Sequence, residues 1–234
     1  MNREVFFTAC RARLFGGALN PMQVEGCNVI LDEWQRRGLT DDRWLAYMLA
    51  TTKHETAHTM QPIKERGGPA YYKRMYDPFG ERPALARRNG NVKAGDGARF
   101  CGRGYVQLTW ANNYRAMGEL LGEPLFDDPD LAMRPDIACK IMFEGMIRGT
   151  FTGKKLADYF SDAANDPRNA RRIINGTDRA EEIAVLHKEF LKAIRSAQAA
   201  PVQPPPDVPV AEPKPKPSIL QSVLAALAAA FKRG

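Results

Sequence analysis

Two histidines and a glutamate stand in the string His54-Glu55-Thr56-Ala57-His58. Histidines four positions apart on a helix share one face and can bind the same Zn²⁺, with the glutamate as general base. The chain has only three histidines, so a third histidine ligand would have to be His187, although a carboxylate could take its place. The string alone therefore leaves a zinc peptidase open.

Glu55 also has a reading that needs no metal. It follows Met48 by seven residues and Trp44 by eleven, which places all three on one apolar helix face. Burial of a carboxyl group among apolar side chains favours its protonated form. A protonated carboxyl group can donate a proton to the leaving oxygen of a glycoside. Glu55 is therefore a candidate general acid.

A glycosidase needs a second carboxylate to activate the attacking water. Glu65 lies ten residues after Glu55, between Lys64 and Arg66, where a carboxylate should stay ionised. Glu81 is the reserve candidate for this base. Both could also be ordinary surface charges, and their spacing alone does not decide between these readings.

A second string, from Gly95 to Trp110, reads GDGARFCGRGYVQLTW and matches neither common phosphate-binding pattern. Gln107 and Thr109 would share one face if this segment were a strand, although it could also begin a helix. Polar groups so placed suit a sugar cleft. Three aromatic residues nearby could stack on sugar rings or could belong to the core: Tyr105, Trp110 and Tyr114.

The two strings HETAHTMQPIKE and GDGARFCGRGYVQLTWANNY, in this order, resemble family 19 glycoside hydrolases across residues 4–195. The resemblance is stronger to the compact bacteriophage and bacterial members, the endolysin or lysozyme-like branch, than to the disulfide-bonded plant chitinases. It implies a mainly α-helical, lysozyme-like fold of the α+β lysozyme superfamily, with long loops around a substrate cleft. It also implies inverting endo-hydrolysis of β-1,4 bonds between N-acetylated amino sugars, with no metal or other cofactor.

The same resemblance assigns Glu55 as the general acid, Glu65 as the base and Thr109 as the residue that holds the attacking water. Inversion would place the two carboxyl groups roughly 6.5–9.5 Å apart. Many relatives have glycine in place of Ala57 and His58, so the HExxH match is interpreted as drift. The predicted substrate-binding residues are Gln107, Tyr105, Asn113, Tyr114, Asn175 and His58. Glu182 stands where many relatives carry an arginine in the last helix. An ion pair made by that arginine in the relatives therefore cannot be transferred to this chain.

The chain carries 34 Lys and Arg residues against 27 Asp and Glu, a net charge of +7 that favours polyanionic partners. The basic residues are dispersed along the chain and no nucleic-acid-binding motif occurs, so nucleic acid is not the expected partner. We expect a monomeric, phage-type endolysin that cleaves peptidoglycan, with a chitinase as the alternative and a zinc peptidase as a weaker one. The N-terminal MNREVFFTACRARLF lacks a signal-peptide core, which predicts synthesis in the host cytoplasm and action on the wall in the periplasm.

These side chains need a scaffold, and the composition predicts three parts. Residues 1–197 form the catalytic domain, 198–217 a Pro-rich linker and 218–234 an amphipathic tail helix. Eight of the 17 prolines fall in 201–217, which predicts an extended spacer. The tail helix could pack on the domain, self-associate or contact an anionic membrane.

Within the catalytic part, cap residues predict where the helices begin. The predicted starts are Asn20-Pro21, Thr40-Asp41-Asp42, Pro135-Asp136, Asp166-Pro167 and Thr177. Residues 61–106, rich in Gly, Pro and Arg, predict long loops with a short hairpin. The four cysteines show no CxxC spacing and are expected to be reduced and buried.

Overall fold

The computed structural model describes residues 1–201 and is mainly α-helical, as predicted. Its α-helices are α1 (Arg3–Leu14), α2 (Pro21–Arg36), α3 (Asp42–Glu55), α4 (Gly68–Tyr76), α5 (Pro83–Arg88), α6 (Asp96–Arg99), α7 (Ala111–Leu121), α8 (Pro135–Arg148) and α9 (Ala180–Ala199). Short 3₁₀ helices span Pro129–Met133, Leu156–Asp158 and Asn169–Ile173. The strands are β1 (Ile63–Lys64), β2 (Arg103–Gly104), β3 (Phe160–Ser161) and β4 (Ala164–Asn165).

Helix α3 forms the centre of the core. Every residue from Leu45 to Lys53 is buried, so the helix is enclosed on all sides rather than along one stripe. It packs chiefly against α9, which also packs against α1, while α2 packs against α8. The C-terminal residue of this enclosed helix is Glu55, so the core fixes the place of that carboxyl group.

Three predicted helix starts are confirmed, and their caps explain them. Asn20 forms a capping box with Gln23 and is followed by Pro21 at the first helical position. The Asp41 carboxylate accepts a hydrogen bond from the Arg43 backbone N–H at the start of α3. Helix α8 begins at Pro135.

The segment after Asp166 differs from the prediction. The short helix expected there is the 3₁₀ helix Asn169–Ile173. Thr177 does not cap α9, because that helix begins at Ala180, after Arg179 in the left-handed region at φ +57°. No side chain caps this helix start. The cap prediction was wrong because a backbone turn takes the place of the side-chain cap.

Residues 61–106 contain more structure than expected. Strands β1 and β2 pair antiparallel, with Ile63 opposite Gly104 and Lys64 opposite Arg103. The three helices α4, α5 and α6 between them have nine, six and four residues, too few for a periodic apolar pattern to stand out. The segment 106–110 is neither strand nor helix, and α7 begins directly after it at Ala111.

All four cysteines are free and buried, which confirms the prediction for them. Burial raises the pKa of each of these thiols, to about 12 for Cys27. They therefore stay protonated at neutral pH and behave as small apolar core residues.

The predicted linker 198–217 begins inside α9, which continues to Ala199, and the rest of it lies outside the described residues. The predicted tail helix 218–234 lies wholly outside them. Within residues 1–201, no helix has the length and apolar character needed to cross a bilayer.

His187 is the buried histidine that joins α9 to the start of α3. Its ring is 3% exposed, stacks on Phe160 with centroids 5.2 Å apart, and places Nε2 3.2 Å from the Arg43 carbonyl oxygen. Burial lowers the pKa of His187 to about 4, although the Arg43 carbonyl opposes the shift. The imidazole is therefore neutral in the folded protein at neutral pH.

The folded pKa of His187 is lower than the unfolded value of about 6.5, so its contribution to stability is present above pH 6.5 and is lost as the pH falls towards 4. We expect this one group to lower the free energy of unfolding by about 3 kcal/mol over that range. Urea unfolding between pH 7.5 and 4.5 should show a smaller loss for His187→Gln than for the wild type. Equal slopes for His187→Gln and wild type would contradict the prediction.

Candidate active site

A single cleft of about 1010 Å³ contains both predicted carboxyl groups, Glu55 and Glu65. The end of α3 and the residue after β1 supply them. The predicted residues that line the same cleft are Gln107, Thr109, Asn113 and Asn175. Six of the nine site residues predicted from the sequence therefore line the same cleft.

Glu55 is the last residue of α3 and forms an ion pair with Arg171. Arg171 Nη1 donates to Glu55 Oε1 over 2.5 Å, and the two side chains are only 5% and 14% exposed. Arg171 belongs to the 3₁₀ helix Asn169–Ile173 and also donates from Nε to the Asp178 carbonyl oxygen at 3.1 Å. The expected burial of Glu55 is therefore present, but its immediate neighbour is a guanidinium group instead of apolar side chains alone.

The sequence did not predict Arg171 as the partner of Glu55, because relatives carry the corresponding arginine in the last helix. Glu182, which stands there, pairs with Arg179 at 2.6 Å and lies 3.7 Å from His54 Nδ1. The sequence feature that could have indicated it is the Arg171-Arg172 pair, which ends three residues before the predicted substrate-binding residue Asn175.

Glu65 has a different environment, made of hydrogen-bond donors. Its Oε1 accepts hydrogen bonds from the hydroxyl groups of Tyr76, at 2.6 Å, and Tyr71, at 3.1 Å. Glu65 Oε2 accepts a hydrogen bond from the Gly102 backbone N–H at 3.3 Å. The Tyr72 hydroxyl group donates a hydrogen bond to the backbone carbonyl oxygen of Glu65. Burial, followed by the hydrogen bond to Glu65, raises the pKa of Tyr76 well above its usual value, so this phenol stays a donor. Donors on both oxygens hold the Glu65 carboxyl group in one orientation in the cleft.

The three tyrosines of α4 were not predicted, because that short helix was expected to be a loop. Glu81, the reserve candidate for the base, is exposed, lies 3.8 Å from Arg74 Nε and does not line the cleft. Of the two candidates, only Glu65 is in a position to act with Glu55.

A strained segment presents Gln107 and Thr109 to the cleft. Gln107 has φ +55° and Trp110 has φ +80°, values that side-chain-bearing residues seldom adopt. The Gln107 amide donates to the carbonyl oxygens of Ile63, at 3.0 Å, and Gly104, at 3.2 Å, so it joins β1 to β2. Thr109 Oγ1 donates to the Gln107 carbonyl oxygen at 2.8 Å.

Gly102 allows this close approach. A Cβ atom at this position would lie 2.8 Å from Gln107 Oε1 and 3.3 Å from the Glu65 side chain. On the other side, the Asn113 amide donates to the Thr109 carbonyl oxygen at 2.8 Å. These contacts fix Thr109 in the lining of the cleft without a regular strand.

Three predicted sugar contacts do not lie in the cleft. Tyr105 and Tyr114 are fully buried core residues, and Tyr114 donates to the Cys101 carbonyl oxygen at 2.9 Å. They were assigned to the cleft as aromatic residues near Gln107 and, for Tyr114, from the family resemblance, but both side chains pack in the hydrophobic core. His58 is exposed and lies outside the cleft lining. The aromatic residues that do line the cleft include Tyr76 and Trp110, whose rings meet edge to face at 5.1 Å.

The helical geometry of a zinc-peptidase HExxH string is not formed here. Helix α3 ends at Glu55, and Ala57 and His58 follow in the left-handed region at φ +49° and +70°. His54 and His58 are therefore not on one helical face. His187 contacts the Arg43 carbonyl oxygen, at the opposite end of α3. Among residues 1–201, no three His, Cys, Asp or Glu side chains are grouped as a metal site.

Residues 37–148 match the family model described as chitinase class I, the model of glycoside hydrolase family 19. Over this segment, just under half of its length, the chain resembles glycoside hydrolase family 19. An endochitinase of Arabidopsis thaliana is 30% identical to this chain over 105 residues, which are 44% of this chain and 36% of the relative. Endochitinase 1 of Theobroma cacao is 33% identical over 108 residues, 44% of this chain and 32% of that protein. The chain thus spans about a third of the length of these curated relatives.

Solved structures extend the likeness beyond the family segment. Chitinase C from Streptomyces griseus HUT6037 superposes with a TM-score of 0.54 at 21% identity, over 87% of this chain and 78% of that one. A bacterial family 19 chitinase gives a TM-score of 0.51 at 18% identity, over 87% of this chain and 97% of that one. At such identities the likeness establishes the family 19 fold.

The Arg171–Glu55 pair should be important for stability as well as for geometry. Arg171→Met leaves a largely buried carboxylate without its partner, and we expect the free energy of unfolding to fall by about 1–3 kcal/mol. Adding Glu55→Gln should recover part of this loss, because the unpaired charge is then removed. Urea unfolding of the two single variants and the double variant measures the coupling. Arg172→Met, at the adjacent exposed arginine, is the control and should leave stability nearly unchanged; the same loss in both arginine variants would contradict the assignment.

Proposed function

We propose that this chain is a family 19 glycoside hydrolase, an inverting endo-glycosidase that hydrolyses β-1,4 bonds between N-acetylated amino sugars, with chitin oligomers as its first substrate. One observation carries the proposal: a single cleft holds two carboxyl groups in different environments, Glu55 beside a guanidinium and Glu65 among phenol donors. The names of the curated relatives, which are endochitinases, favour chitin. Sugar rings fit the lining, which combines amides and hydroxyl groups with the rings of Tyr76 and Trp110.

In this proposal Glu55 first takes up a proton from solvent on the oxygen that Arg171 does not contact, and then donates it to the glycosidic oxygen while the bond from that oxygen to the anomeric carbon breaks. Arg171 holds the carboxyl group through one of its oxygens, Oε1. The other oxygen is then the one available for the proton. After cleavage the carboxylate carries a negative charge, which the guanidinium stabilises at the moment it forms.

Glu65 and Thr109 position the water. The Thr109 hydroxyl hydrogen already bonds to the Gln107 carbonyl, so Oγ1 can only accept a hydrogen bond from the water. The second water proton is directed to Glu65, which takes it as the water oxygen bonds to the anomeric carbon. Because the water attacks from the face opposite the leaving group, the configuration at that carbon inverts.

Peptidoglycan is the second candidate substrate, and the charge of the cleft favours it. Arg66, Arg82, Lys154 and Arg172 line the cleft, against the two carboxyl groups. Chitin is uncharged, whereas peptidoglycan strands carry carboxylate groups, so the excess of cations would attract the latter. The whole chain, at +7, adds long-range attraction of the same sign.

Glu55→Gln tests the proposed acid, because glutamine nearly keeps the shape but cannot donate the proton. We expect hydrolysis of a chitin hexamer to fall by at least about 100-fold, the usual contribution of general acid catalysis. Circular dichroism and the melting temperature should show a folded variant. The matched control is Glu81→Gln, which changes an exposed glutamate outside the cleft and should retain wild-type turnover. Wild-type activity in Glu55→Gln would refute the glycosidase proposal.

Mass spectrometry of the products, from chitin oligomers and from purified peptidoglycan in parallel, decides between the substrates. A new N-acetylglucosamine reducing end from chitin, at the higher rate, supports the first candidate. Faster release of muropeptides with a new muramic acid or glucosamine reducing end supports the second.

A further inference from the structure

Lys53 is a buried lysine with no carboxylate partner among residues 1–201. It lies in α3 two residues before Glu55 and is only 2% exposed. Its Nζ contacts His58 Nδ1 at 2.8 Å and lies 5.1 Å from the centre of the Phe15 ring. Lysines are almost never buried without an acidic partner, so the histidine and the ring must supply what a carboxylate usually does.

The contact defines the protonation state of His58. An ammonium group only donates hydrogen bonds, so Nδ1 must accept and the imidazole must be neutral, with its proton on Nε2. Burial lowers the pKa of Lys53. Burial also lowers the pKa of His58, followed by the charges of Lys53 and His54, against the opposing effect of Glu182 on α9. A second proton on this pair would place two positive charges 2.8 Å apart.

The pair closes the turn that ends α3. Ala57, His58 and Met60 have φ of +49°, +70° and +58°, three left-handed residues that each carry a side chain. The His58 backbone N–H donates to the Lys53 carbonyl oxygen at 2.8 Å, and Gln23 of α2 donates to the His58 carbonyl oxygen at 3.0 Å. A backbone strained in this way persists only where its surroundings hold it.

We propose that His58 is a positioning residue: its neutral imidazole accepts the Lys53 Nζ–H, holds the turn behind Glu55 closed, and releases it when the imidazole is protonated. This explains the one histidine of the string that neither binds a metal nor lines the cleft. The catalytic part of the inference depends on the proposed function, while its stability part does not.

His58→Asn and Lys53→Met are the informative variants. Asparagine places an acceptor oxygen near the position of Nδ1, tolerates a left-handed backbone and takes up no proton between pH 5 and 8. Lys53→Met keeps the length of the side chain and removes its charge. Lys188→Met, at an exposed lysine of α9, is the control for loss of a lysine.

The first readout is the melting temperature from pH 7.5 to 5.0. The folded pKa of His58 lies below its usual value, so its stabilisation is present above about pH 6.5 and is lost as the pH falls. The melting temperature of the wild type should therefore fall further than that of His58→Asn or Lys53→Met, by about 2–4 °C. His187 is present in all of these proteins, so its contribution cancels in the differences. Identical pH profiles for wild type and His58→Asn would overturn the inference.

The second readout is kcat and KM for a chitin hexamer over the same pH range. We expect the acid limb of kcat to move to lower pH in His58→Asn by about one unit, the size of a neighbouring-charge effect, with KM nearly unchanged. An unmoved acid limb overturns the positioning role. If no protein hydrolyses the hexamer but the melting profiles differ as expected, the proposed function fails while the protonation switch stands.

Nitrogen NMR of the three histidines tests the protonation state directly. At pH 7 the His58 ring should carry its proton on Nε2, with Nδ1 shifted as an acceptor, and Lys53→Met should alter the Nδ1 signal. A proton on Nδ1 in the wild type would contradict the arrangement.

Discussion

The enclosure of α3 by the rest of the domain is the constraint on which the site depends. The helix is buried from Leu45 to Lys53, and it reaches the cleft at its last two residues, His54 and Glu55. A helix held on every side cannot shift or rotate without disturbing the whole core. The position of the proposed acid is therefore set by packing along the helix. Any change in backbone conformation near Glu55 must occur in the turn that follows it.

The two carboxyl groups receive opposite kinds of support. A single guanidinium contacts Glu55 from a 3₁₀ helix far along the chain, whereas Glu65 accepts hydrogen bonds from two phenols of the adjacent α4 and one backbone N–H. The guanidinium is placed to stabilise the negative charge that forms as Glu55 gives up its proton, and the donors around Glu65 fix the orientation of the proton acceptor before the reaction.

Local signals in the sequence predicted the parts of the structure that local interactions decide. Asn20, Asp41 and Pro135 mark helix starts because caps act within one turn of the chain. The interactions that complete the site join distant segments: Arg171 lies 116 residues from Glu55, and no periodic pattern links them. Tyr105 and Tyr114 were wrongly predicted to lie in the cleft for a similar reason, because their burial depends on core packing between distant segments.

The resemblance to a known family supplied the two carboxyl groups and Thr109, whereas only the structure showed what surrounds them. The HExxH string illustrates the difference, since the spacing of His54 and His58 suits a metal only if the helix continues, and here it ends between them. The sequence has no strong stop signal at that point. The end of the helix is instead held by a local contact between Lys53 and His58 and by a tertiary contact from Gln23 of α2.

In the proposed mechanism, water directed by Glu65 attacks from the face opposite a leaving group that Glu55 protonates. The anomeric configuration of the first product is the most direct test of this mechanism. Proton NMR of a chitin hexamer, recorded within the first minutes of hydrolysis, resolves the two anomers of the new reducing end. We expect the α-anomer to accumulate first and then to equilibrate with the β-anomer. Initial formation of the β-anomer would contradict it, because retention requires a covalent or substrate-assisted intermediate in place of direct attack by water.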